Sequence, residues 1–178
     1  LLEQRTGCNV ASERFDVLGI GNAIVDVLAH TDDAFLRGRN LTKGTMRLID
    51  GAEAERLYGA MGSAIEVSGG SAANTIAGIA SLGGRAGFIG KVRDDQLGKV
   101  FAHDIRASGV TFSTAPANDG SATARCLIMV TPDAQRTMNT FLGACVDLGP
   151  DDVDEAAVAS ADITYLEGYL WDPPKAKE

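Results

Sequence analysis

Asp26 closes the run Gly19-Ile20-Gly21-Asn22-Ala23-Ile24-Val25-Asp26 near the amino end of the chain. An ionised carboxylate accepts at both oxygens, so one placed beyond a strand end can hold two neighbouring hydroxyls of a ligand. Each such charge-assisted bond contributes about 1.5–3 kcal/mol. The same residue also reads as a loop aspartate capping a turn. A second cluster is Ser68-Gly69-Gly70-Ser71-Ala72-Ala73-Asn74. Paired glycines let the backbone turn sharply and let a ligand approach with no Cβ in the way. A helix opening directly behind them aims its free N–H groups at that ligand. Asn74 falls in the first turn, where its amide can both donate and accept. A glycine-rich turn with a helix cap is the plainer reading, and both stay open here.

Other polar residues carry weaker chemistry. Gly19-x-Gly21 begins like a dinucleotide fingerprint, but Ile24 stands where the third Gly belongs. Gly90-Lys91 resembles the end of a phosphate-binding loop. There Arg85 replaces the first Gly, and Val92 replaces the hydroxyl residue that would bind magnesium. Both matches fail. The stretch Gly90 to Gly98 reads better as a strand end leading to a helix capped by Asp95. Arg136 follows a turn signal and could meet a phosphate with its planar fork, or remain a solvated surface residue. His30 and His103 have no metal-ligand spacing. Cys8, Cys126 and Cys145 form no C-x-x-C pair, which excludes a zinc knuckle and a disulfide framework.

The elements that must carry these residues alternate in type. Apolar strands are expected at Phe15 to Ile20, Val25 to Thr31, Thr45 to Ile49, Ile65 to Val67 and Ala86 to Ile89. More follow at Thr111 to Thr114, Thr123 to Val130, Thr137 to Leu142 and Ile163 to Leu166. Helices are expected from Asp50 to about Ala60, from Ser71 to Leu82 with Ser71 as its cap, and from Asp95 to near Gly109. A short helix should start at Pro150-Asp151. This order predicts an α/β domain with a mainly parallel sheet. Strands near 26–31, 45–49 and 123–130 lack crossover helices, so they are expected to form a small separate sheet covering the site.

The chain has 178 residues, 45% hydrophobic and 22% charged, enough for one globular domain with a real core. Its net charge of −8 repels phosphate backbones and anionic lipid, so no nucleic-acid and no membrane partner is expected. The apolar runs are strand-sized, and the cysteine usage suits a reducing cytoplasm. Residues 1 to 14 read as a polar, disordered leader, and residues 15 to 178 as the domain.

Taken in order, these segments resemble the PfkB/ribokinase family of kinases. Gly69-Gly70-Ser71-Ala72-Ala73-Asn74-Thr75, the helix after it, Gly83-Gly84 and Gly98 are similar to that family's first signature. Gly21-Asn22 through Asp26 resembles its substrate-binding strand end. Thr131 to Arg136 and Tyr165-Leu166-Glu167-Gly168-Tyr169 look most like the adenosine kinase branch, and the similarity spans about residues 15 to 172.

The resemblance implies a ribokinase-like, Rossmann-type α/β core with a small β-sheet lid, incomplete at the C-terminus. It implies transfer of the ATP γ-phosphate, with Mg²⁺, to a primary hydroxyl of a nucleoside or sugar, adenosine favoured over ribose or fructose. Asp26 would then bind ribose hydroxyls, and Gly69, Gly70, Ser71 and Asn74 would line the sugar pocket, with Asn22 nearby. Met46, Cys126, Met138, Leu142 and Leu170 would surround the base, and Arg136 would hold phosphate. The family's Gly-Ala-Gly-Asp segment, which supplies the anion hole and the proton acceptor, has no match here. No metal ligand or catalytic base is therefore expected within these residues, and the isolated chain should lack kinase activity. A ligand-binding module without chemistry is the rival reading. The lid strands also offer apolar edges through which a second copy could pair.

Overall fold

A computed structural model describes residues 14–178. The leader expected over residues 1 to 14 lies, apart from Arg14, outside the described residues, as does Cys8. Two sheets organise the rest. The first is wholly parallel and contains β1 (Phe15–Ile20), β5 (Ala86–Ile89), β6 (Val110–Phe112) and β9 (Ala161–Leu166), in the order β6-β5-β1-β9. Two helices cover one of its faces: α3 (Ser71–Ser81) and α4 (Gln96–Ala107). Their buried residues Ile76, Phe101 and Ile105 join Phe88 and Phe112 of the sheet in one apolar cluster. Gly19 is required there, because a Cβ at this position would overlap the Ile76 side chain. A smaller cluster of Phe15, Leu18, Ile20, Ile89, Leu148 and Leu170 forms on the sheet under the carboxyl-terminal segments.

The second sheet is mixed and runs β3-β8-β7-β2-β4. Its members are β2 (Ile24–His30), β3 (Met46–Leu48), β4 (Ile65–Gly69), β7 (Ala124–Val130) and β8 (Arg136–Phe141). Side chains alternate across it with period two. Val25, Val27, Leu127 and Met129 point into the main core beside Leu57 of α2 (Gly51–Tyr58) and Leu36 of α1 (Asp33–Gly38). The register pairs of the other face run Ile65–Leu28, Val67–Asp26–Cys126–Thr140–Leu48 and Leu28–Ile128–Met138–Met46. These rows are apolar except for Asp26 and Thr140, and Met46, Leu48 and Ile65 are more than half exposed.

Local chemistry explains most of the element boundaries. Asp50 caps α2 by accepting from the Glu53 N–H at 2.8 Å, and Asp95 caps α4 by accepting from Gly98 at 2.8 Å. The start of α3 departs from expectation. Gly70, at φ +96°, occupies the cap position and Ser71 is the first helical residue. A Cβ on Gly70 would lie 2.6 Å from the Asn22 carbonyl oxygen, so neither its φ nor its space admits a side chain. The expected strand at Thr111 to Thr114 sits one residue earlier and is shorter. Helices α1 and α5 (Glu155–Ser160) were not foreseen. No helix among the described residues is long and apolar enough to cross a membrane.

Candidate active site

Asp26 lies mid-strand on β2, on the outward face of the second sheet, half-buried. Its carboxylate rests against the backbone of Gly69, where a Cβ would overlap both Cγ and Oδ2. Among the described residues no group donates a hydrogen bond to it and no cation pairs with it. Burial alone therefore holds its carboxyl above the usual carboxylate range. A half-buried carboxylate with no partner is costly to fold unless a ligand supplies the donors.

That cost predicts a stability effect. A raised folded-state pKa means that the ionised form is penalised in the fold. The penalty is absent well below the ordinary value of 3.8, where Asp26 is protonated folded or unfolded. It grows as pH rises through the raised value. Asp26→Asn should thus stabilise the ligand-free protein at pH 7, and calorimetry should read a higher Tm that falls back to the wild-type value at pH 3. A lower Tm at pH 7 would mean that Asp26 has a structural partner.

Where β1 passes into β2, a second polar group assembles. Asn22 is 5% exposed and its Oδ1 is buried without a hydrogen bond. Its N–H donates to Glu167 Oε2 at 2.6 Å. Glu167 follows β9, is 4% exposed, and also accepts from the Ser71 hydroxyl and, at 3.3 Å, from the Ala72 N–H. The Ser71 hydroxyl is thus committed to Glu167. Asn74 stands exposed in the first turn of α3, its N–H bonded to Gly70 O at 2.9 Å and its side-chain amide without a partner among the described residues.

The other expected site residues divide. Cys126 is the register partner of Asp26, and Met138 and Met46 lie further along the same face. Burial pushes the Cys126 thiol up to about 11, which makes it an apolar wall at neutral pH and no nucleophile. Leu142 is half-buried just before the short helix Gly143–Asp147. Leu170 packs instead into the cluster under β1 with Phe15 and Leu18. Arg136 is exposed at the start of β8, in register with Val130, itself opposite His30. That puts it four positions along the strands from Asp26, about 13 Å at the rise of a β-strand.

Glu167 is the residue that the sequence reading left without a role. Its one local signal is a carboxylate closing an apolar strand. Asp95, expected as a helix cap, carries a further role that the sequence reading did not give it. Besides capping α4 it accepts from the Thr123 N–H at 2.9 Å and from the Thr123 hydroxyl at 2.7 Å, and so anchors the start of β7.

A four-stranded parallel sheet covered by α3 and α4, joined to a five-stranded mixed sheet, defines a two-sheet α/β fold. The family model described as pfkB family carbohydrate kinase matches residues 50–177, and the chain belongs to that family. The adenosine kinase from Sinorhizobium meliloti is 60% identical, with a TM-score of 0.83 over 92% of this chain and 50% of that one. A probable sugar kinase from Rhizobium etli CFN 42 is 57% identical, with a TM-score of 0.84 over 93% and 50%. Probable fructokinase-4 of Arabidopsis thaliana is 31% identical over 103 residues, covering 57% of this chain and 32% of that protein. The chain thus spans about half the length of these solved relatives and about a third of the fructokinase.

Proposed function

We propose that the full-length protein is an ATP-dependent kinase for the primary hydroxyl of a nucleoside, with adenosine as the favoured acceptor, and that this chain holds the acceptor-binding half. The observation that carries the reading is the unpartnered Asp26 carboxylate over Gly69-Gly70, bordered by an apolar face. A vicinal diol supplies the two donors that Asp26 lacks. The apolar row through Cys126, Met138 and Met46 suits a flat heteroaromatic base, and a free sugar would leave it uncovered. The 60% identity to the S. meliloti adenosine kinase supports the same acceptor.

In this reading Asp26 orients the ribose, the Gly70 turn lets the sugar approach backbone, and Asn74 offers its side-chain amide to a hydroxyl. Arg136 reaches phosphate only if the second sheet closes over the site. Among the described residues no cluster of three or more His, Cys, Asp or Glu could hold a metal ion. Because the chain spans about half the length of its solved relatives, we assign ATP, Mg²⁺ and the proton acceptor to the part of the protein outside residues 14–178, and derive no step through them. Phosphoryl transfer depends chiefly on positioning and charge stabilisation, and the share of these residues is positioning.

The test is ATP turnover by the full-length protein with adenosine, ribose and fructose offered separately, the product identified by mass. Adenosine should give the highest kcat/KM, with AMP as product. A preference for fructose or ribose would move the protein to the sugar kinases, the reading that the R. etli and Arabidopsis relatives favour. Absence of acceptor-dependent ADP formation would overturn both.

A further inference from the structure

The Glu167 carboxylate is buried, and among the described residues no cation pairs with it; its three partners there are all hydrogen-bond donors. They belong to two different crossings between the sheets. Asn22 lies where β1 passes to β2, and Ser71 and Ala72 lie where β4 passes to α3. Each crossing carries half of the acceptor site, Asp26 on one and Gly69, Gly70 and Asn74 on the other. Gly21 records how tightly they meet. A Cβ there would lie 2.5 Å from the Ala72 Cβ and 3.0 Å from Glu167 Oε2. The two oxygens divide the work, Oε2 taking Asn22 and Oε1 taking the start of α3.

We propose that Glu167 is a positioning residue, tying the Asn22 turn to the first turn of α3 so that Asp26 and the Gly70 backbone face one volume. The inference rests on the kinase reading above. A carboxylate suits the task because both oxygens accept at once, and its charge complements the positive end of α3. A carboxamide has nearly the same shape, but one of its two ends donates. Glu167→Gln therefore leaves either the Asn22 N–H or the Ala72 N–H facing another N–H, and turns the Ser71 hydroxyl from donor to acceptor in the second case, without opening a cavity.

The test is steady-state kinetics on the full-length protein, corrected for active fraction. With E167Q, KM for the acceptor should rise at least tenfold and KM for ATP should stay within twofold. A merely structural role would lower Tm and the active fraction but leave the acceptor KM unchanged. Ser71→Ala removes one arm alone and should raise the acceptor KM about threefold. The double variant should be no worse than E167Q, since Ser71 acts through Glu167. An additive double variant, or an acceptor KM within twofold of wild type in E167Q, overturns the proposal. If E167Q does not fold, S71A decides: an unchanged KM overturns it and a threefold rise supports it. Wild-type protein that phosphorylates no acceptor would bring down the kinase reading itself. Normal wild-type turnover with an unaffected E167Q would bring down this inference alone.

Discussion

Asp26→Ala in the full-length protein is expected to lower kcat/KM for the acceptor by about a thousandfold, with Tm held or slightly raised. The carboxylate has no partner among the described residues, so its removal breaks no internal contact. On the proposed reading, what disappears is the pair of hydrogen bonds to the ribose. At about 1.5–3 kcal/mol each, two charge-assisted bonds amount to about 3–6 kcal/mol. At 1.36 kcal/mol per decade that is roughly a hundredfold to ten-thousandfold. Part of the loss should fall on kcat, because a sugar held by fewer groups spends less time with its hydroxyl in line for attack. An acceptor KM and kcat within a factor of three of wild type would remove Asp26 from the site.

The second large effect is on stability. Gly98→Ala should cost about 3 kcal/mol, read as a lower urea midpoint. The new Cβ would fall well inside contact distance of the Arg93 carbonyl oxygen and 3.1 Å from Thr123 Oγ1. Neither neighbour is free to move. The Arg93 N–H donates to Thr123 Oγ1 at 3.0 Å, and Thr123 is gripped by Asp95. The helix cap, the loop before it and the entrance of β7 therefore shift together or not at all. A loss below 0.5 kcal/mol would show that this junction is looser than its hydrogen bonds imply.

These two residues also mark where the sequence could be read and where it could not. Asp50 and Asp95 were legible as caps because capping is local chemistry, settled within three residues of the helix start. The strands were legible from apolar runs between turn signals. Helix α1 was not, since it is six residues long with Leu36 its only buried side chain, and so leaves no periodic trace. Ser71 looked like a cap because its type is right for one. The structure gives its hydroxyl to Glu167 instead, a partner 96 positions away. Asp26 and Gly69 were singled out separately, and only the antiparallel pairing of β2 with β4 puts one against the other. Leu170 was grouped with the base-facing residues, and its packing under β1 depends on chain returning from far downstream. Contacts fixed by register between distant strands have no local signature.

The place of β1 between β5 and β9 has a kinetic consequence. The first described strand is also an interior one. Its outer hydrogen-bonding edge waits for β9, and the clamp between Asn22 and Glu167 joins residues 145 positions apart. Closing so long a loop loses chain entropy before any contact rewards it, and proteins dominated by such distant pairings fold slowly. During synthesis β1, β2 and the Gly-Gly turn leave the ribosome long before the carboxylate that joins them. The clamp is thus among the last features of residues 14–178 to form, and on the proposed reading a nascent chain shorter than Glu167 should carry Asp26 without being able to use it.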